Sequence, residues 1–242
     1  MLFGSLLGVV AVIAGAIAAV TGFGVGSVLT PTLAVETGTK LAVAAVAIPH
    51  FVVTAQRFWK LRRHVDRHIL LGFGIASAIG GLVGALLGTR ISSRGLAVVF
   101  GILLIVAGIS ELTGWIQRVR WGRRAAWIAG GLSGALGGLV GNQGGIRTAA
   151  MLGFDVPKES FIATATAIGL FVDGARLPVY LATQWREILA IWPLVLTATV
   201  GGVIGTVFGT RVLGRVPERV FRRVLAVLLL VLGLYMAIAS GK

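Results

Sequence analysis

The first 35 residues carry no charged side chain, and apolar stretches broken by short polar interruptions then run to the end of the chain. The runs at 69–89, 125–146, 188–210 and 224–241 are each about as long as a helix that crosses a bilayer core, roughly 20 residues. Hydropathy read this way predicts eight spans. Two further apolar segments, near 26–35 and 145–154, follow glycine-rich clusters and are too short to cross as regular helices at about 1.5 Å per residue. They read as half-helices meeting an unwound break. The expected fold is an all-α, polytopic transmembrane helix bundle with eight long spans and two short half-spans.

The order of these segments repeats. GGLVGALLGTRISSR (80–94) matches GGVIGTVFGTRVLGR (201–215), and Gly80, Gly81, Gly84, Gly88, Thr89, Arg90 and Arg94 each recur 121 residues later. GAIAAVTGFGVG (15–26) resembles GALGGLVGNQGG (134–145) at an offset of 119. The chain therefore divides into a first transmembrane repeat, 1–120, and a second, 121–242. Small residues let backbones meet in lipid, so the GxxxGxxxG spans read first as packing seams. Duplicated halves with glycine-interrupted segments at matching places are the sequence pattern of a secondary transporter.

Loop charge orients the halves, because basic residues favour the cytoplasmic side. The first half has basic loops at 57–67 and 118–124, whereas the second concentrates its basic residues at 211–223. Leaving aside Arg147 and Arg176, which lie within spans, parallel halves would put 11 basic residues inside and 9 outside; inverted halves give 15 and 5. Two inverted repeats are expected.

Composition sharpens the class. Charged residues make up 12% of the chain, about half the share in a soluble domain, typically about 25%. The net charge of +14 comes from basic residues beside apolar spans, which suits anionic headgroups; no nucleic-acid partner is expected. The N-terminus lacks the basic region of a cleavable signal peptide. The expected location is the inner (cytoplasmic) membrane, as a multi-pass protein. There are no cysteines, so thiolate metal sites and a cysteine nucleophile are excluded. His64 and His68 have helical metal-pair spacing but sit among Arg62, Arg63 and Arg67, whose charge opposes a cation. No metal or cofactor is expected. Trp115, Trp121, Trp127, Trp185 and Trp192 fall near span ends, as interfacial anchors do.

The candidate chemistry lies at the breaks, TGFGVGSVLTP (21–31) and VGNQGGIRTAA (140–150). Lipid cannot satisfy the backbone groups that a break frees, so such breaks face protein or a water-filled cavity. The helix N-termini that follow can aim donors and positive dipole ends at one point, which favours an anion. Gly22, Gly24 and Gly26 from the first break, with Asn142, Gln143, Gly144 and Gly145 from the second, are candidate contacts. Arg147 adds fixed charge and a fork of donors suited to a sulfonate, sulfite, sulfate or carboxylate; the competing reading has it snorkel to an interface or pair with an acid. Asp173 is the one acid well inside a span, and Arg176 shares its helix face. They read equally as a proton-coupling acid with a second substrate contact, or as an internal ion pair. Arg57 occupies the position of Arg176 in the first repeat. His50, Thr54 and Gln56 share one span and face the same cavity in this reading; His50 is a candidate for proton coupling or for packing.

These segments resemble the sulfite exporter TauE/SafE family, also described as toluenesulfonate uptake permeases. The resemblance rests on the duplicated small size, on GAIAAVTGFGVGSVLTPTL, and on GALGGLVGNQGGIRTAAML followed by TATAIGLFVDGARLPVY. It implies an inner-membrane permease for sulfite, organosulfonates or related anions, not an enzyme. The expected function is secondary transport of a small sulfur-containing oxyanion, with two halves rocking around a midplane site. The alternatives are a permease for another small carboxylate or anion, and a non-transporting membrane scaffold. The expected partners are the anion and membrane lipids, with a homodimer as candidate assembly.

Overall fold

The computed structural model describes residues 2–22, 24–115, 123–141, 144, 147, 151, 154, 156–213 and 217–239. Its long helices are α1 (Leu2–Thr21), α2 (Val25–Thr37), α3 (Thr39–Leu61), α4 (Arg67–Arg90), α5 (Ser93–Thr113), α6 (Arg123–Val140), α7 (Lys158–Ala190), α8 (Trp192–Leu213) and α9 (Glu218–Ala239). Among the described residues seven helices are long and apolar enough to cross a membrane, and the apolar part of α6, Ala125–Val140, is a shorter eighth. With α2 as a half-length piece, this is the polytopic helical bundle that the apolar pattern implies.

The local causes are legible. α1 stops where Gly22 and Gly24 adopt φ of 85° and 125°, a region that only glycine enters cheaply. The chain restarts at once as α2, whose 13 residues span about 20 Å, short of a bilayer core. Eight of those 13 residues are buried, so α2 is clad by protein and not by lipid. Gly38, with φ 76°, ends it. In α4 a π turn at Leu70–Gly74 interrupts the regular ladder, and α7 kinks at Gln184, where φ is −136° and ψ 21°.

The glycine seams do what their spacing suggests. Gly201, Gly205 and Gly209 of α8 press against Ala11, Val12 and Ala16 of α1, and Gly80 and Gly84 of α4 press against the carbonyls of Gly131 and Ala135 of α6. A methyl group at most of these glycines would overlap the neighbouring backbone. The most extensive helix pairings are α1 with α8, α4 with α6, and α5 with α9, followed by those of α7 with α4 and with α3. The first helix of each half thus packs on the next-to-last helix of the other half, so the set of pairings is unchanged when the halves are exchanged. The two halves interlock.

Candidate anion site

The two breaks meet. Gly26, in the first turn of α2, sits against the carbonyl of Gly141, the residue that ends α6 with φ 76°. No side chain caps the N-terminus of α2 at Gly24, which leaves its first-turn N–H groups to whatever lies in front of them. Beside this crossing, α3 brings in His50, Thr54 and Arg57, and α7 brings in Thr166, Gly169, Asp173 and Arg176. The middle of the bundle encloses a cavity of about 10 Å³, lined by Ala18, Gly22, Val25, His50, Val53, Thr54, Arg57, Arg147, Thr166 and Gly169. That is room for about one water molecule.

Charge is concentrated here to a degree unusual in a membrane interior. Arg57, Arg147, Asp173 and Arg176 are 8%, 4%, 0% and 1% exposed. Asp173 is fully engaged: Arg176 donates Nε to Oδ1 at 3.0 Å, its Nη2 stands 2.8 Å from the same oxygen, and His50 Nδ1 is 2.7 Å from Oδ2. Arg176 spends its remaining arm, Nη1, on the carbonyl of Gly137 at 2.8 Å. Tyr180, one turn further on, donates its hydroxyl to the Gly138 carbonyl. Tyr180 thereby takes up a carbonyl in the last turn of α6, and Arg176 adds a second donor to the Gly137 carbonyl, which also accepts the Gly141 N–H. Thr54 Oγ1 lies 3.5 Å from His50 Nδ1.

Arg147 is in the opposite condition. Its Nε and Nη1 are buried and have no hydrogen-bond partner among the described residues, and its guanidinium rests close against Gly169, where a methyl group would lie 3.0 Å from Nη1. Leaving a buried donor unpaired costs about 1–3 kcal/mol, and more for a charged group. An anion in the cavity would offset that cost.

The offset of 119 aligns Gly22 with Gly141, Ala18 with Gly137, Arg57 with Arg176 and Thr54 with Asp173. Both glycines have positive φ. A methyl group on Gly22 would lie 3.6 Å from Arg57 Nη2, and one on Gly141 would lie 3.3 Å from Arg176 Nη1. Each arginine therefore lies at the C-terminal end of the first helix of its own half. The acid beside it exists only in the second half.

Among the expected contacts, Gly22, His50 and Arg147 line the cavity. Gly26 makes the crossing of the breaks and Gly24 packs on Ile17; Gly144 is buried and helical. Arg176 and Asp173 form the internal ion pair, joined to the cavity through His50. Asn142, Gln143 and Gly145 lie outside the described residues. One reading needs correction: Arg57 is not a loop cation but a buried residue of α3 that lines the cavity. Its neighbours Lys60, Arg62 and Arg63 made it look like part of a solvated run, whereas its match to Arg176 was the signal pointing inward. Without it the loop charges still favour inversion.

Broken helices that converge inside a multi-pass bundle are the construction of a membrane permease. The chain belongs to the sulfite exporter TauE/SafE family, whose model matches residues 7–236. Members of that family are membrane transporters, not enzymes. No curated protein and no solved structure matches the chain.

Proposed function

We propose that this permease is a carrier for a small sulfur-containing oxyanion, such as sulfite or an organosulfonate, in the cytoplasmic membrane. The observation that carries the reading is Arg147: a buried guanidinium with unpaired donors, facing an enclosed cavity lined by a second arginine. An anion supplies what those donors lack, and the family's description as sulfite exporters narrows its type. The uncapped start of α2 adds backbone donors at the same place. The cavity of about 10 Å³ is smaller than a sulfite; in the carrier proposed here it widens and opens by turns to either side. His50 is the coupling candidate. It joins the cavity to Asp173 on α7, with Thr54 beside it on α3 and Arg57 and Arg147 across the space.

The test is sulfite flux in proteoliposomes with and without Arg147→Gln. The variant is expected to insert normally and to lose at least about 100-fold of flux, which corresponds to about 2.8 kcal/mol. Wild-type flux in Arg147→Gln would overturn the assignment, and absence of saturable anion flux in the wild type would overturn the function.

A further inference from the structure

Resting on the reading of this cavity as an anion site, we propose that Arg57 is a second cationic substrate contact. Together with Arg147 it makes the pocket selective for doubly charged oxyanions over singly charged ones. The argument is a charge count within one small space. Three guanidinia and one carboxylate are buried around it. The carboxylate is committed, since Arg176 holds one oxygen of Asp173 with two nitrogens and His50 holds the other. Arg176 and Asp173 therefore cancel. Arg57 and Arg147 both line the cavity, and among the described residues neither forms an ion pair. Two positive charges remain for the ligand to meet.

Arg57 could have been a structural cap on α1, as Arg176 is on α6. The geometry separates the two. Both carbonyls already accept an N–H from the glycine at the turn, Gly137 from Gly141 at 2.9 Å and Ala18 from Gly22 at 3.0 Å. Arg176 adds a second bond to the Gly137 carbonyl at 2.8 Å, whereas among the described residues Arg57 forms no hydrogen bond to that of Ala18. In addition, Thr54 stands where the second half has Asp173, so nothing on α3 neutralises Arg57 as Asp173 neutralises Arg176. A doubly charged anion loses far more hydration on entry than a singly charged one, and one guanidinium does not recover that loss. Two guanidinia facing one enclosed space do so better, because each adds its own attraction at low effective dielectric. The cavity as it stands has room for about one water molecule, so binding of a small oxyanion would have to widen it.

Thiosulfate and methanesulfonate make a suitable probe pair, since both are tetrahedral at sulfur, similar in size, and differ by one charge. Calorimetric titration of the purified full-length protein in nanodiscs at pH 8 is expected to show thiosulfate binding at least about 10-fold tighter than methanesulfonate. Arg57→Gln is expected to remove that preference, weakening thiosulfate at least about 10-fold and methanesulfonate less than about threefold. Arg57→Lys keeps the charge and loses the planar fork, so it should weaken both ligands while retaining the preference. Equal binding of the two anions by the wild type, equal weakening of both by Arg57→Gln, or loss of the preference in Arg57→Lys would each overturn the proposal. The wild-type ratio needs no variant and decides the matter if Arg57→Gln does not fold. A wild type that binds neither these two anions nor sulfite would instead overturn the anion site itself.

Discussion

At the end of α1 the chain turns at Gly22 with φ 85° and lays Arg57 beside the turn; at the end of α6 it turns at Gly141 with φ 76° and lays Arg176 beside it. The backbone plan is shared, down to the hydrogen bonds from Gly22 N to Ala18 O and from Gly141 N to Gly137 O, at 3.0 and 2.9 Å. The difference that bears on charge lies three residues before each arginine: threonine in the first half, aspartate in the second. With the aspartate, the corner is a closed electrostatic unit, tied further to α6 by Tyr180, where the first half has Leu61. With the threonine, the same corner keeps a charge available inside a protein that lies in a poorly polarisable medium. In the reading proposed above, one corner braces the bundle and the other meets the ligand.

Substitutions at these corners can break or sharpen that contrast. The largest effect is expected from Asp173→Asn, which strands the buried Arg176. Breaking such a pair costs about 3–5 kcal/mol, and the loss should appear as a large fall in melting temperature. Thr54→Asp is the converse experiment, since it gives Arg57 the partner that Arg176 already has. It should cut thiosulfate affinity by about 10- to 100-fold, or about 1.4–2.8 kcal/mol, while the protein stays folded; unchanged affinity would mean that the two corners do not differ in the way described. Gly141→Ala and Gly22→Ala impose a methyl group on left-handed backbone, at about 1–2 kcal/mol each. Gly141→Ala should be the worse of the two in a thermal melt, because its methyl group comes nearer to an arginine. The smallest effect is expected at Gly88→Ala, where the nearest atom is 3.6 Å away, with a stability change within about 0.5 kcal/mol. Its repeat mate Gly209 abuts the backbone of Ala16, so Gly209→Ala should be measurably worse.

Much of the architecture was legible because it follows from local spacing. Glycines at every fourth position announce a seam wherever they occur, and a glycine cluster followed by ten apolar residues announces a helix too short to cross. α2 and the α1–α8 seam are read this way with no knowledge of their partners. The site was legible in its ingredients and not in its wiring. His50 and Asp173 are 123 residues apart, and their 2.7 Å contact depends on α3 packing against α7, which no periodicity encodes. That Asp173 and Arg176 pair was legible from their spacing, whereas the carbonyl and the ring that complete their surroundings were not. Arg57 was obscured by its cationic neighbours, since sequence alone does not separate the last buried turn of a helix from the exposed turn after it. The seam on α4 hid nothing comparable, because glycine spacing there has a single geometric outcome.

The exchanged packing of α1 on α8 and α4 on α6 bears on how any such carrier changes shape. These contacts are backbone against backbone, tight enough that sliding one helix drags the other. In the carrier proposed above, such packing would keep the two duplicated segments from swinging as separate rigid bodies. The unit that tilts would then be a composite block, with one strut from each copy, and the line of shear would run across the repeats instead of between them.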